Sequence, residues 1–210
     1  MPLLKLAAAF IAGVLMTATA HAAPEVGKPA PDFSAVDSNG KTVKLSDFHG
    51  KTVVLEWTND GCPYVKKHYG SGNMQSLQKD AAAKGIVWLT IVSSAPGKQG
   101  YVDGAGANGL TKSRGAAPAA VLLDAQGAVG HLYDARTTPH MFIVDAAGTL
   151  VYMGGIDDKA TSEVADIPAA KNYVRAALDE IAAGKPVAEA ITRPYGCSVK
   201  YAEPEPAPTY

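Results

Sequence analysis

One stretch constrains the fold more than any other: KTVVLEWTNDGCPYVKKHYG, residues 51–70. Its first part, Lys51 to Thr58, is a nearly unbroken apolar run rich in β-branched residues, the pattern of a strand buried in the centre of a sheet. Asn59, Asp60 and Gly61 then lead to Cys62 and Pro63. Proline is favoured at the first position of a helix, where its missing N–H costs nothing, so the strand hands over to a helix at a cysteine-bearing corner.

The flanking segments extend this order. Phe33 to Val36 and Thr42 to Leu45 flank the turn DSNG and predict a hairpin. Gly70 and Gly72 interrupt the helix after Cys62, and a second one restarts at Asn73 with Met74, Leu77 and Ala81 at helical spacing and Gly85 as its end. Ile86 to Val92 is the next buried strand, whereas Ser93 to Pro118, rich in Gly, Ala and Ser, predicts a loop with one short helix near Leu110 to Arg114. A short strand at Ala120 to Asp124 ends in the turn AQG, and His140 to Asp145 with Thr149 to Gly154 forms a second hairpin. A helix is expected from Pro168 to Ala183, with Ala170, Val174, Ala177, Leu178 and Ile181 on one face and Gly184 as its stop. The tail from Lys185 contains five prolines and ends YAEPEPAPTY, which predicts extended chain and disorder at the very end. Taken together the order is that of an α/β, thioredoxin-like fold: a central mixed β-sheet flanked by helices, with an N-terminal β-hairpin.

Ahead of all this stands MPLLKLAAAFIAGVLMTATAHA, with Lys5, an apolar run from Leu6 to Met16 and Ala20-His21-Ala22 as a small-x-small site. It predicts a signal peptide over residues 1–22, since the run falls short of the ~20 residues of a membrane-spanning helix. The remainder then divides into a domain over 23–186 and a tail over 187–210, exported to the periplasm or beyond, with no membrane association after cleavage. Losing Lys5 takes the formal charge from −1 to −2, which offers no basic field for nucleic acid.

The only two cysteines, Cys62 and Cys197, lie in the exported part, where an even pair is by default a disulfide. A thiol in the first turn of a helix meets free N–H groups and the positive end of the helix dipole, both of which favour thiolate, the attacking species in disulfide exchange and peroxide reduction. The corner is expected to expose Cys62, and Lys66 and Lys67 would add to the effect if their amines fold back; the alternative is a buried, inert cysteine. Glu56, six positions earlier, points to the opposite face from Leu55 and Trp57. It is either a buried carboxylate of raised pKa, suited to accept protons, or a solvent-facing one. His68 and His140 are further candidates near the sulfur. A copper site of the chaperone type lacks its second thiol, because Val65 stands where CxxC would continue, and neither metal nor organic cofactor is expected.

TTPHMFIVDAAGTLVYMGG resembles the thioredoxin-superfamily segment in which a cis-proline leads into a strand and hairpin. More widely, from VGKPAPDF through GCPYV and TTPH to YGCSVKY, the chain resembles the peroxiredoxin-like redoxins of the alkyl hydroperoxide reductase and thiol-specific antioxidant superfamily. The resemblance implies Cys62 as nucleophile, Glu56 as the buried acid, and Pro139 as the cis-proline lying against the reactive cysteine. It further implies that Thr138 offers backbone hydrogen bonds to substrate, with Pro63 and His140 beside it. Where peroxiredoxins read PxxxTxxC, this chain has Leu55 and Asn59, and the place of their catalytic arginine falls on Pro139, with Arg136 or His140 as substitutes.

The expected helix of sixteen residues rises ~24 Å, and thirteen further steps to Cys197 span at most ~45 Å, so the tail reaches back to Cys62. Resolution of an oxidised Cys62 by Cys197, a permanent bridge, and a bond between chains all fit that reach. Two functions follow. One is a thiol oxidoreductase acting on a peroxide or a disulfide and renewed by an external thiol reductant. The other is a binding protein stapled by a structural Cys62–Cys197 disulfide.

Overall fold

The computed structural model describes residues 23–203, so the expected leader and the last seven residues lie outside the described residues. A hairpin of β1 (Ser34–Asp37) and β2 (Thr42–Lys44) precedes β3 (Val53–Trp57), then α1 (Pro63–Gly70), α2 (Asn73–Ala83) and β4 (Val87–Val92). They are followed by α3 (Gly104–Arg114), β5 (Ala120–Leu123), α4 (Ala128–Leu132), β6 (Thr137–Thr138), β7 (His140–Val144), β8 (Leu150–Gly154), α5 (Tyr173–Ala182) and β9 (Cys197–Ser198). Seven strands form one mixed sheet in the order β2-β1-β5-β4-β3-β7-β8, with β3 and β4 parallel, β4 and β5 parallel, and β3 antiparallel to β7. The small β6–β9 ladder stands apart from it.

β3 is buried along its whole length, as its composition predicts, because both faces of the sheet are covered. Leu55 and Trp57 enter a core with Leu89, Ile91, Phe142 and Tyr133. Val54 faces the other core, where α1, α2 and α5 supply Val65, Leu77, Ala81, Val174 and Leu178. Every strand and helix expected from the N-terminal hairpin to β4 is present within a residue or two.

Three expectations need correction. The helix near Leu110 is α3 and begins six residues earlier, at Gly104. Its glycines erase the helical periodicity, but the Asp103 carboxylate accepts the Gly106 N–H at 2.8 Å, and Ala107 packs against Val92 and Val121. The turn after β5 continues into α4, whose first N–H groups, of Val129 and Gly130, are taken by Asp124 at 3.1 and 2.8 Å. Finally, the helix expected from Pro168 begins at Tyr173, because the Asn172 side chain caps it through the Arg175 N–H at 2.9 Å. A separate 3-10 segment, Val164–Ala169, contains Pro168, and Ala170 lies in neither.

Candidate functional site

The C-terminal tail, expected only as extended chain, returns across the molecule. Its Thr192 N–H bonds to Met153 O, and Gly154 makes room for it, since a side chain at φ +153° would collide with Thr192. Further on, β9 pairs antiparallel with β6, setting Cys197 opposite Thr138 and Ser198 opposite Thr137. Beyond the ladder, Val199 N–H bonds to Arg136 O, and Ala95 N–H to Lys200 O at 2.8 Å. The Thr138–Pro139 peptide is cis, and Pro139 is buried beside the corner.

Cys62 is the N-cap of α1 and is 0 % exposed, which corrects the expectation of an open corner thiol: the tail and the loop before Pro139 cover it. Its Sγ–H donates to Thr138 O at 3.1 Å, and the Cys197 thiol is near enough to influence its ionisation. Both cysteines are free thiols, and Cys197 is partly exposed. Burial pushes the Cys62 thiol up, but hydrogen bonds from the Cys197 thiol, the Val65 and Cys197 N–H groups and the Thr138 side chain outweigh it, and the net displacement from 9.0 is downward. Cys197 moves the other way, to about 11, by burial and by its hydrogen bond and charge interaction with Cys62, against a smaller effect of Lys200. One thiol is thus biased towards thiolate and its neighbour towards the protonated form.

Neither Lys66 nor Lys67 is among the causes of the Cys62 displacement. Lys66 is exposed, and Lys67 is buried with its Nζ donating to Lys159 O at 2.8 Å. Glu56 is fully buried, which excludes its solvent-facing reading. Its Oε1 accepts Tyr69 O–H at 2.8 Å, while Oε2 accepts Trp88 Nε1–H at 2.8 Å, Thr90 O–H at 3.1 Å and Gln78 Nε2–H at 3.2 Å. Burial raises its pKa, and those four hydrogen bonds, Trp88 foremost, pull against the rise. The carboxylate shares a sheet face with the layer holding Cys62 but spends these bonds on the core around it, not on the sulfur.

Of the other expected residues, Pro63 is exposed at the first turn of α1. Thr138 is 1 % exposed, and the backbone edge expected to receive substrate is already occupied by Cys197. His140 does not face the sulfur: by strand alternation it shares the face of Phe142, 4.4 Å between ring centroids, and its Nδ1 accepts the Arg136 N–H. The Arg136 guanidinium is exposed and paired with Asp134. Asn59, buried in the corner, uses its Oδ1 on Gly61 N–H and its amide on Gln99 O. His68 turns away from Cys62 towards Tyr195, a residue sequence reasoning passed over although it stands two positions before Cys197.

The family model for AhpC/TSA matches residues 26–153, well over half of the chain. The chain belongs to the AhpC/TSA family. Within this redoxin family its sequence is similar to the thiol-disulfide oxidoreductase ResA of Bacillus subtilis, 27% identical over 125 residues, which cover 60% of this chain. The match spans 64% of ResA, just under two thirds of that relative's length. Among solved structures, a conserved protein from Geobacillus kaustophilus superposes with a TM-score of 0.72 at 28% identity, covering 85% of this chain and 93% of that one. The thioredoxin domain of a Bacteroides vulgatus thiol-disulfide oxidoreductase superposes at 0.50 and 18% identity over 69% of this chain and 96% of that one, which is a likeness of fold. The thioredoxin-like fold expected from the order of elements is therefore the one observed. The redoxin's tail, with β9 and Cys197, lies beyond the family match.

Proposed function

We propose that this redoxin is a thiol-disulfide oxidoreductase in which Cys62 is the nucleophile and Cys197 the resolving thiol. The observation that carries the reading is the β6–β9 ladder, which pairs a cysteine from the far end of the chain with Thr138, the residue whose carbonyl accepts the thiol of the helix-capping cysteine. The Cys62 thiolate attacks one sulfur of an external disulfide and expels the other as a thiolate, leaving a mixed disulfide. Cys197 gives up its proton and attacks the Cys62 sulfur, so the second substrate thiolate leaves and two electrons have passed to the substrate. Two equivalents of an external thiol reduce the resulting Cys62–Cys197 bridge. Glu56 serves as a buried proton store rather than a direct base, since its oxygens are taken up by core donors.

A disulfide suits the corner better than a peroxide. Leu55 and Asn59 replace the usual proline and threonine, Asn59 spends its amide on closing the corner, and Arg136 is paired at the surface. The leader-like residues 1–22 and an exchangeable cysteine pair fit an exported protein.

Replacing Cys62 by serine is expected to abolish turnover of a small disulfide by the reduced protein; undiminished turnover would refute the assignment. Single-turnover rates of the reduced protein with a hydroperoxide and with a disulfide rank the two substrates. A bridge that stays closed in a glutathione buffer would instead identify Cys62–Cys197 as a structural staple.

A further inference from the structure

Strand pairing alone does not hold the tail on the cysteine corner, for β9 is a ladder of two residues. Two positions before Cys197, the Tyr195 ring turns into the layer beneath α1, where it is 9 % exposed. Its hydroxyl donates to Asp157 Oδ1 and lies 3.1 Å from His68 Nε2, whose Nδ1 is 2.9 Å from the Asn73 amide. Tyr64 packs edge-on at 5.8 Å between centroids, and Lys67 Nζ stands 5.6 Å from the Tyr195 centroid and 3.9 Å from Asp157. Tyr64, Lys67 and His68 all belong to α1, the helix that Cys62 caps. Tyr195 therefore fastens the tail to the element that carries the other thiol.

This brace is costly. Lys67, His68 and Asp157 are each no more than 2 % exposed, and Asp157 Oδ2 has no hydrogen-bond partner among the described residues. Apolar side chains of similar volume would hold a tail at less expense. What a hydrogen-bonded cluster adds is a defined direction for the chain that leaves it, and here that chain is Gly196 and Cys197.

We propose that Tyr195 is the positioning residue that sets Cys197 against Cys62, with Asp157 and His68 holding its hydroxyl for that purpose; the inference rests on the dithiol reading above. An internal bridge closes in proportion to the effective concentration of one thiol at the other, and that concentration falls when the segment carrying it is freed.

The test is the exchange equilibrium in which bridged protein and two molecules of glutathione give the dithiol protein and one glutathione disulfide. Quenching with acid, alkylating and weighing the products by mass spectrometry reads its constant. Tyr195→Phe keeps the ring and removes the hydroxyl; it is expected to shift the equilibrium about tenfold towards the dithiol, the scale of one lost hydrogen bond to a charged group. His68→Phe approaches the same contact from α1, and the same direction of shift is expected. Urea unfolding of the reduced variants reports whether they fold. A folded variant whose exchange constant stays within twofold of the parent overturns the inference, even if its stability has dropped. A parent protein whose bridge does not exchange with glutathione overturns the dithiol reading itself.

Discussion

At the scale of single residues the proposed dithiol chemistry turns on two thiols displaced in opposite directions. Alkylation of the reduced protein is expected to show an inflection below pH 9.0 that belongs to Cys62, with Cys197 reacting only towards about 11. Cys197→Ala removes a hydrogen bond to the thiolate, so the Cys62 inflection should move up; stopped-flow alkylation across pH checks both. His68 and His140 carry a second pH dependence. Burial, with the Lys67 charge, lowers His68 to about 3, and burial with a small opposing balance of Asp134 and Arg136 lowers His140 to about 4, both from 6.5. The fold holds both rings neutral while the unfolded chain protonates them, so their contribution is complete above pH 6.5 and is lost as pH falls towards those values. Urea unfolding should show a loss of several kcal/mol over that interval, up to roughly 8 kcal/mol for the two rings together, and His140→Phe should flatten part of the slope. The place of Cys62 at the head of a helix was legible from local pattern, whereas the burial of Glu56 stayed open and the cis bond at Pro139 was implied only by the family resemblance. The burial of Cys62 and the orientation of His140 were not legible, because each depends on which neighbour covers or faces the residue.

At the scale of elements the decisive piece is β9. Gly196 has φ +138°, and a Cβ there would collide with the Thr138 carbonyl oxygen, the acceptor of the Cys62 thiol. Gly196→Ala is expected to lift β9 from β6 and make Cys62 react with a small alkylating agent about tenfold faster or more, as local opening replaces burial. An unchanged Cys62 rate would show that the ladder does not shield the thiol. The strands and helices of the sheet were readable because their apolar periodicity records one simple arrangement, sheet against helices. α3, α4 and the start of α5 were misread where side-chain caps on Asp103, Asp124 and Asn172 set the boundaries instead of apolar spacing. A ladder of two residues in a proline-bearing tail leaves no periodicity to read.

At the scale of the whole molecule, a Cys62–Cys197 bridge would close a loop of well over a hundred residues and tie the tail to the first helix. The lost chain entropy of the unfolded state predicts that the oxidised protein is the more stable by up to ~4 kcal/mol. For a chain of this size that is a rise in melting temperature on the order of 10 °C, which calorimetry of the oxidised and reduced forms measures. No helix among the described residues is long and apolar enough to cross a membrane. By itself the sequence determined the buried central strand, the helix that starts at the Cys62–Pro63 corner and the succession of the seven sheet strands, because apolar periodicity and proline placement act over a few residues. Only the tertiary structure decided that the tail lies against the cis-proline loop, that Cys197 pairs with Thr138 beside Cys62, and that Tyr195 is gripped by His68 and Asp157. Those contacts join segments far apart along the chain, and their energies come from geometry that no local pattern encodes.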